Sequence, residues 1–263
     1  MIKLGFSTCP NDTYMFDAMV HGRINTEGET FDLVMADIAE LNAMASRAEL
    51  DMVKVSYNAF AGLQDQYHLL NAGSALGHNC GPLLIAKKQM SLEEIIGSDL
   101  PVAIPGRKTT ANLLLDFFAP QLQNREEMVF HEIMPAVLEG KAIAGLIIHE
   151  NRFTYQDLGL VSIQDLGEYW ERKTSLPIPL GAIVVKRSLG EEMIAKLERI
   201  MQRSVAHAFA HPEASEAFVK AHAQEMKPEV MKAHIDLYVN EYSLNLGNRG
   251  HEAVNKLLSL AQH

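Results

Sequence analysis

The first sixty residues alternate short apolar strands with amphipathic helical stretches, and that rhythm limits the possible folds more than any other feature of the chain. "IKLGFST" reads as a strand. "PNDTYMFDAMVHG" then carries helix-start chemistry, with Asn11 or Asp12 placed to cap it, Met15, Met19 and Val20 on an apolar face and Gly22 as the stop. "TFDLVMADI" reads as a second strand, "IAELNAMASRAE" as a helix and "LDMVKVSYNAF" as a third strand running into a polar turn. Short strands joined by helices in this order make a parallel α/β sheet, and the polar residues fall where the strands end.

The pattern then breaks and restarts. "YHLLNAGSALGHNCGPLLIAKK" supplies an extended segment, a Gly-rich loop and a strand, "PVAIP" another strand, and "TTANLLLDFFA" a strong helix from Thr109 or Thr110. "MVFHEIMPAVLEGKAIAGLIIHE" repeats strand, helix and strand, with Pro135 tolerable in a first helical turn. "LGAIVVKR" is one more apolar strand, and from Glu191 the chain is nearly all helix: "EEMIAKLERIMQRSVAHAFAH", "PEASEAFVKAHAQEM", "PEVMKAHIDLYVNEY" and "NRGHEAVNKLLSLAQ".

"GPLLIAKK" and "LGAIVVKR" both end in paired cations suited to a solvent-exposed exit, and they flank the middle block. With 263 residues, more than most single cores hold, the expected architecture is α/β in two lobes. Residues 1–88 and 182–263 form a larger, discontinuous lobe, residues 89–181 an inserted smaller one, and a ligand cleft lies between them. "NRFTYQDLGLVSIQDLGEYWERKTSLPIP", which holds the single tryptophan Trp170, is the least regular stretch and is expected to be a long loop.

A formal net charge of -10 argues against a nucleic-acid partner, because phosphate binding needs clustered Lys and Arg. A small anion remains admissible where helix-start amides receive it. No apolar run approaches membrane-spanning length. Met1 to Thr8 alternate like a strand, and Pro10, Asn11 and Asp12 interrupt any leader core, so a cytoplasmic protein is expected. Cys9 and Cys80 make no CxxC pair and read as reduced thiols. Cys9 before a helix start is either a packed small residue or an activated thiol.

Three strand ends carry candidate chemistry. In "PGRKTTAN", Gly106 makes a tight turn into a helix, so the Thr109 and Thr110 amides are expected to be unpaired and able to hold a carboxylate or phosphate. The alternative is a plain capped helix whose hydroxyls satisfy its own amides. It is not a Walker loop, because Arg107 stands before Lys108 where that motif needs Gly. In "MVKVSYNAF", Ser56 follows an apolar strand beside Lys54 and Asn58 without the GxSxG frame of a nucleophile. It is either a ligand-facing hydrogen-bonding group or an ordinary turn residue.

In "AGLIIHENRF", His149 ends a buried run, and strand alternation puts it on the face of Ile147 with Glu150 opposite. His149 is therefore either a general base near neutral pH or a satisfied structural imidazole, and Glu150 is expected to matter much less. Metal chemistry has little support. No HExxH occurs, and His207 and His211, though four apart, precede Pro212 at a helix end where imidazole serves the dipole. The 13 methionines read as core filler, and no GxGxxG points to a nicotinamide or flavin.

"STCPNDTYMFDAMVHGRI", "ALGHNCGPLLIAKK", "VAIPGRKTTANLLLDFFA", "GKAIAGLIIHENRFTYQDLGL", "DLGEYWERKTSLPIPLGAIVVKR" and "HIDLYVNEYSLNLG" sample nearly the whole chain in order. Together they resemble the 1,4-dihydroxy-6-naphthoate synthase family of the futalosine route of menaquinone biosynthesis. The resemblance implies a two-lobed fold like that of type II periplasmic binding proteins. It also implies a carbon-carbon lyase, without a required cofactor or metal, that cleaves cyclic de-hypoxanthine futalosine, a small-molecule carboxylate, to 1,4-dihydroxy-6-naphthoate and dihydroxyacetone. By the same resemblance His149 is the proton-accepting base, and Lys54, Val55, Ser56, Thr109 and Thr110 contact substrate. Two related readings are chorismate dehydratase, against which "CPNDT" and "LIIHE" speak, and a non-catalytic solute-binding protein.

Overall fold

A computed structural model describes residues 1–223 and 227–261. The chain forms two compact units: Met1–Gly77 with Pro179–His263, and His78–Ile178, inserted between those two parts.

The first unit is built on the sheet β2-β1-β3-β11-β4, with β5 also pairing β11. Its strands are β1 (Ile2–Phe6), β2 (Phe31–Met35), β3 (Met52–Ser56), β4 (Tyr67–Leu69), β5 (Ala75–Gly77) and β11 (Ile178–Lys186). β1 runs parallel to both β2 and β3, as the alternating sequence pattern demands, whereas β11 runs antiparallel to β3 and β4. The helix Pro10–Val20 packs on the long helix Glu191–Ala210. Phe16 stacks on Phe6 at 4.5 Å, and the Ser204 hydroxyl donates to the Met15 carbonyl at 2.6 Å while accepting from the Met19 amide at 3.2 Å. Met15, Met19, Met52 and Met201 fill this core, because an unbranched thioether adapts to gaps between strands and helices.

The C-terminal part is helical as expected, through Glu216–His222, Pro228–Tyr238, Glu241–Leu244 and Gly247–Ala261. Residues 224–226 and 262, which the sequence pattern also assigns to helix, lie outside the described residues.

The second unit holds the sheet β10-β6-β9-β7-β8, formed by β6 (Leu83–Ala86), β7 (Val102–Ile104), β8 (Arg125–Glu127), β9 (Ala144–Ile147) and β10 (Val161–Asp165). β7 is parallel to β8 and β9, and β6 is antiparallel to β9 and β10. Because "LLIA" takes both its partners here, the run "GPLLIAKK" belongs to this unit, and the boundary falls after Gly77 instead of after residue 88. The apolar pattern marks "LLIA" as a buried strand without naming its sheet.

The stretch expected to be a long loop is instead structured. It forms Asn151–Thr154, the edge strand β10 and the helix Leu166–Thr174, whose cap Asp165 accepts from the Gly167 and Glu168 amides. Trp170 is fully buried and donates from Nε1 to the Pro177 carbonyl at 3.0 Å. Its mixed polarity hid a strand that only antiparallel pairing with β6 defines.

Gly81 and Gly167 meet backbone to backbone, so that a Cβ on Gly81 would stand 2.2 Å from the Gly167 nitrogen. Gly81→Ala must push two main chains apart, and we expect it to cost at least the ~1–3 kcal/mol typical of overpacking. Its urea midpoint should fall accordingly, and an unchanged midpoint would disprove the contact.

Among the described residues no helix is long and apolar enough to cross a membrane.

Candidate functional site

In the first unit, polar residues gather at the C-terminal ends of the neighbouring parallel strands β1 and β3. Ligands of open α/β sheets characteristically bind at such ends. Beyond β1 the chain turns at Ser7 and starts a helix whose cap position is Cys9, with Pro10 at its first residue, where a missing N–H costs nothing. Neither Asn11 nor Asp12 is the cap. The Cys9 carbonyl receives the Asp12 and Thr13 amides at 3.0 and 3.1 Å.

Asp12 is instead buried, 1% exposed, and collects donors: the Ser7 amide at 3.2 Å, the Ser7 hydroxyl at 2.7 Å, the Asn11 amide nitrogen at 3.0 Å and the Lys54 ammonium. Lys54 is therefore the buried partner of an ion pair. Its stem lies against Gly181 on β11, where a Cβ would come within 2.6 Å of Lys54 Cε.

Val55 is wholly buried and pairs with Ala182 across the sheet. Ser56 caps the short helix Tyr57–Ala61 by accepting from the Ala59 amide at 3.1 Å. Asn42 holds it from the side, donating to its hydroxyl at 3.1 Å and accepting from its amide at 3.0 Å. Sequence reasoning missed Ser7, Asp12 and Asn42 as members of this cluster. "PND" directly after a strand was the available signal, but nothing local says that an aspartate will be buried.

In the second unit the candidate residues follow β7 and β9, again adjacent and parallel. After β7, Gly106 takes φ of +133°, which an L side chain rarely adopts, and Thr109 caps the helix Thr110–Phe118. The Thr109 hydroxyl accepts from the Asn112 amide at 3.2 Å and donates to the Gly106 carbonyl at 2.7 Å. Its own amide donates to the Gly106 carbonyl at 3.2 Å, so the expectation of an unpaired Thr109 amide is corrected: a four-residue turn uses it. Thr110 is buried at the helix's first position.

After β9 the strand ends at Ile147, and His149 adopts a left-handed conformation with φ of +55°. That conformation costs a non-glycine residue about 1–3 kcal/mol and is kept only where the surroundings impose it. The turn cancels strand alternation, so His149 and Glu150 do not face opposite ways: a ring nitrogen of one and a carboxylate oxygen of the other lie within 4.8 Å. The half-buried His149 ring stands edge-on to Phe130, with centroids 5.2 Å apart. Glu150 is 6% exposed, and its Oε2 has no hydrogen-bond partner among the described residues. Arg152, next in the turn, is committed elsewhere, to the Gly81 carbonyl at 2.7 Å and to Asp165.

Neither cysteine is in a disulfide. Burial pushes the Cys80 thiol up to about 12. Iodoacetamide at pH 8 should therefore leave Cys80 unmodified in native protein and label it after denaturation, as peptide mass spectrometry would read; rapid native labelling would show the site to be open.

This architecture of two α/β units, one inserted in the other, is that of periplasmic-binding-protein-like folds. The periplasmic aliphatic sulphonate binding protein of Escherichia coli matches it with a TM-score of 0.66 at 9% identity, covering 98% of this chain and 85% of that one. The chain belongs to the menaquinone biosynthesis family, whose sequence profile matches residues 2–263. A 1,4-dihydroxy-6-naphthoate synthase of Thermus thermophilus is 45% identical over 261 residues, 99% of this chain and 94% of that protein. A crystal structure from Archaeoglobus fulgidus gives a TM-score of 0.91 at 35% identity, covering 99% and 96% of the two chains.

Proposed function

We propose that this protein catalyses the reaction of the synthase branch of its family in the cytoplasm: cleavage of cyclic de-hypoxanthine futalosine to 1,4-dihydroxy-6-naphthoate and dihydroxyacetone, a carbon-carbon lyase reaction. The observation that carries this reading is the pairing of β7 with β9. It brings the helix start at Thr109 and Thr110 and the imidazole of His149 to the same end of one sheet.

In this reading the aromatic carboxylate of the substrate is received at the start of the helix Thr110–Phe118, where the helix dipole favours negative charge. His149 removes a proton from the sugar-derived part, and retro-aldol bond breaking follows. Aromatisation of the new ring drives the step, so one base and fixed positioning supply the catalysis. Substrate contacts at Lys54, Val55 and Ser56 remain part of the proposal, and the Asp12–Lys54 pair holds that strand end in one conformation.

The test is to incubate purified protein with cyclic de-hypoxanthine futalosine and detect both products by mass. Loss of chorismate absorbance instead would mark a chorismate dehydratase, and binding of the futalosine derivative without turnover a solute-binding protein.

A further inference from the structure

Glu150 is a buried carboxylate that the reaction scheme does not use. Leaving a carboxylate oxygen unsatisfied in a protein interior is costly, and Glu150 Oε2 is in that position with the nearby Arg152 turned to other partners. The group it does approach is His149, within 4.8 Å, and the approach exists because His149 holds a strained left-handed backbone. An extended residue there would send the two side chains to opposite faces.

We propose that Glu150 is the positioning residue of the base: its carboxylate stabilises the imidazolium formed when His149 accepts the substrate proton and restrains the ring beside it. This rests on the assignment of His149 as base. The proton passes from substrate carbon to imidazole, and the imidazolium so formed faces the Glu150 carboxylate. At a separation under 5 Å in a water-poor setting, such a pair interacts far more strongly than in bulk water.

The experiment compares Glu150→Gln, Glu150→Asp, His149→Gln and the double replacement His149→Gln with Glu150→Gln, each with cyclic de-hypoxanthine futalosine. Glu150→Gln keeps the shape and removes the charge. It should lower kcat about 10- to 100-fold with KM within about twofold of the parent. Glu150→Asp, which keeps the charge, should retain more of kcat than Glu150→Gln. Because Glu150 acts through His149, adding Glu150→Gln to His149→Gln should cause no further loss.

A parental kcat in Glu150→Gln, or equal losses in the Gln and Asp variants with a raised KM, overturns the inference while leaving His149 as base. Parental turnover in His149→Gln overturns both. Glu150→Gln should melt no lower than the parent, since it removes an unpaired buried charge; a marked fall in its melting temperature would indicate a structural role and count against the proposal.

Discussion

Replacing His149 with alanine should lower turnover of cyclic de-hypoxanthine futalosine by about 100- to 10,000-fold, the range a general base contributes, while the substrate still binds. The proposed anchoring of the carboxylate at Thr109 and Thr110 is on a different loop, after β7, and the replacement leaves it in place. The expected signature is therefore in kcat, with KM little changed, because the lost interaction is made in the transition state. A φ of +55° is harder for alanine than for histidine, which is among the residues enriched in the left-handed region, so some loss of stability will accompany the loss of rate. Circular dichroism of the variant separates the two effects. Unchanged kcat would remove His149 from the mechanism.

The largest stability effect should come from Lys54. Lys54→Met leaves Asp12 buried with its hydrogen bonds from Ser7 and Asn11 but without a counter-charge. Removing one partner of a buried ion pair typically costs about 3–5 kcal/mol. Replacing both, Asp12→Asn with Lys54→Met, should recover most of that, because the uncompensated charge is gone while a side-chain oxygen still accepts from Ser7. Chemical denaturation followed by far-UV circular dichroism is the suitable probe, since the single tryptophan, Trp170, belongs to the other unit. A single-variant cost under about 1 kcal/mol would mean that the pair is solvated.

Much of the first unit was legible because its signals are local. Alternation of "IKLGF" and "MVKVS" with amphipathic helices specifies parallel pairing, and β1 does pair with β2 and β3 in that sense. The pattern assigns "LLIA" to the first unit and "VSIQD" to a loop, and both differ from the structure, since which sheet a short strand joins depends on distant partners: β6 binds β9 and β10, both more than fifty residues onward.

The candidate site divides in the same way. Thr109 as a helix cap and Ser56 at a strand end could be read from residue type and position, because capping needs only a side-chain oxygen and the next three amides. Asp12 could not, as its partners Ser7 and Lys54 reach it through the packing of β1 against β3. Alternation, the correct default for a strand, turns Glu150 away from His149, and no residue-level signal announces a left-handed histidine.

The amino-acid sequence by itself determined the α/β class, the order of most elements, the helical C-terminal part and the positions of His149, Thr109 and Thr110 after strands, all set by periodicity and capping over a few residues. Only the tertiary structure decided which sheet β6 and β10 join, that Asp12 and Lys54 are a buried pair and that His149 and Glu150 share one side of a turn. Those outcomes depend on desolvation and on backbone angles imposed by neighbours far away in the chain, and neither is written in any short stretch of residues.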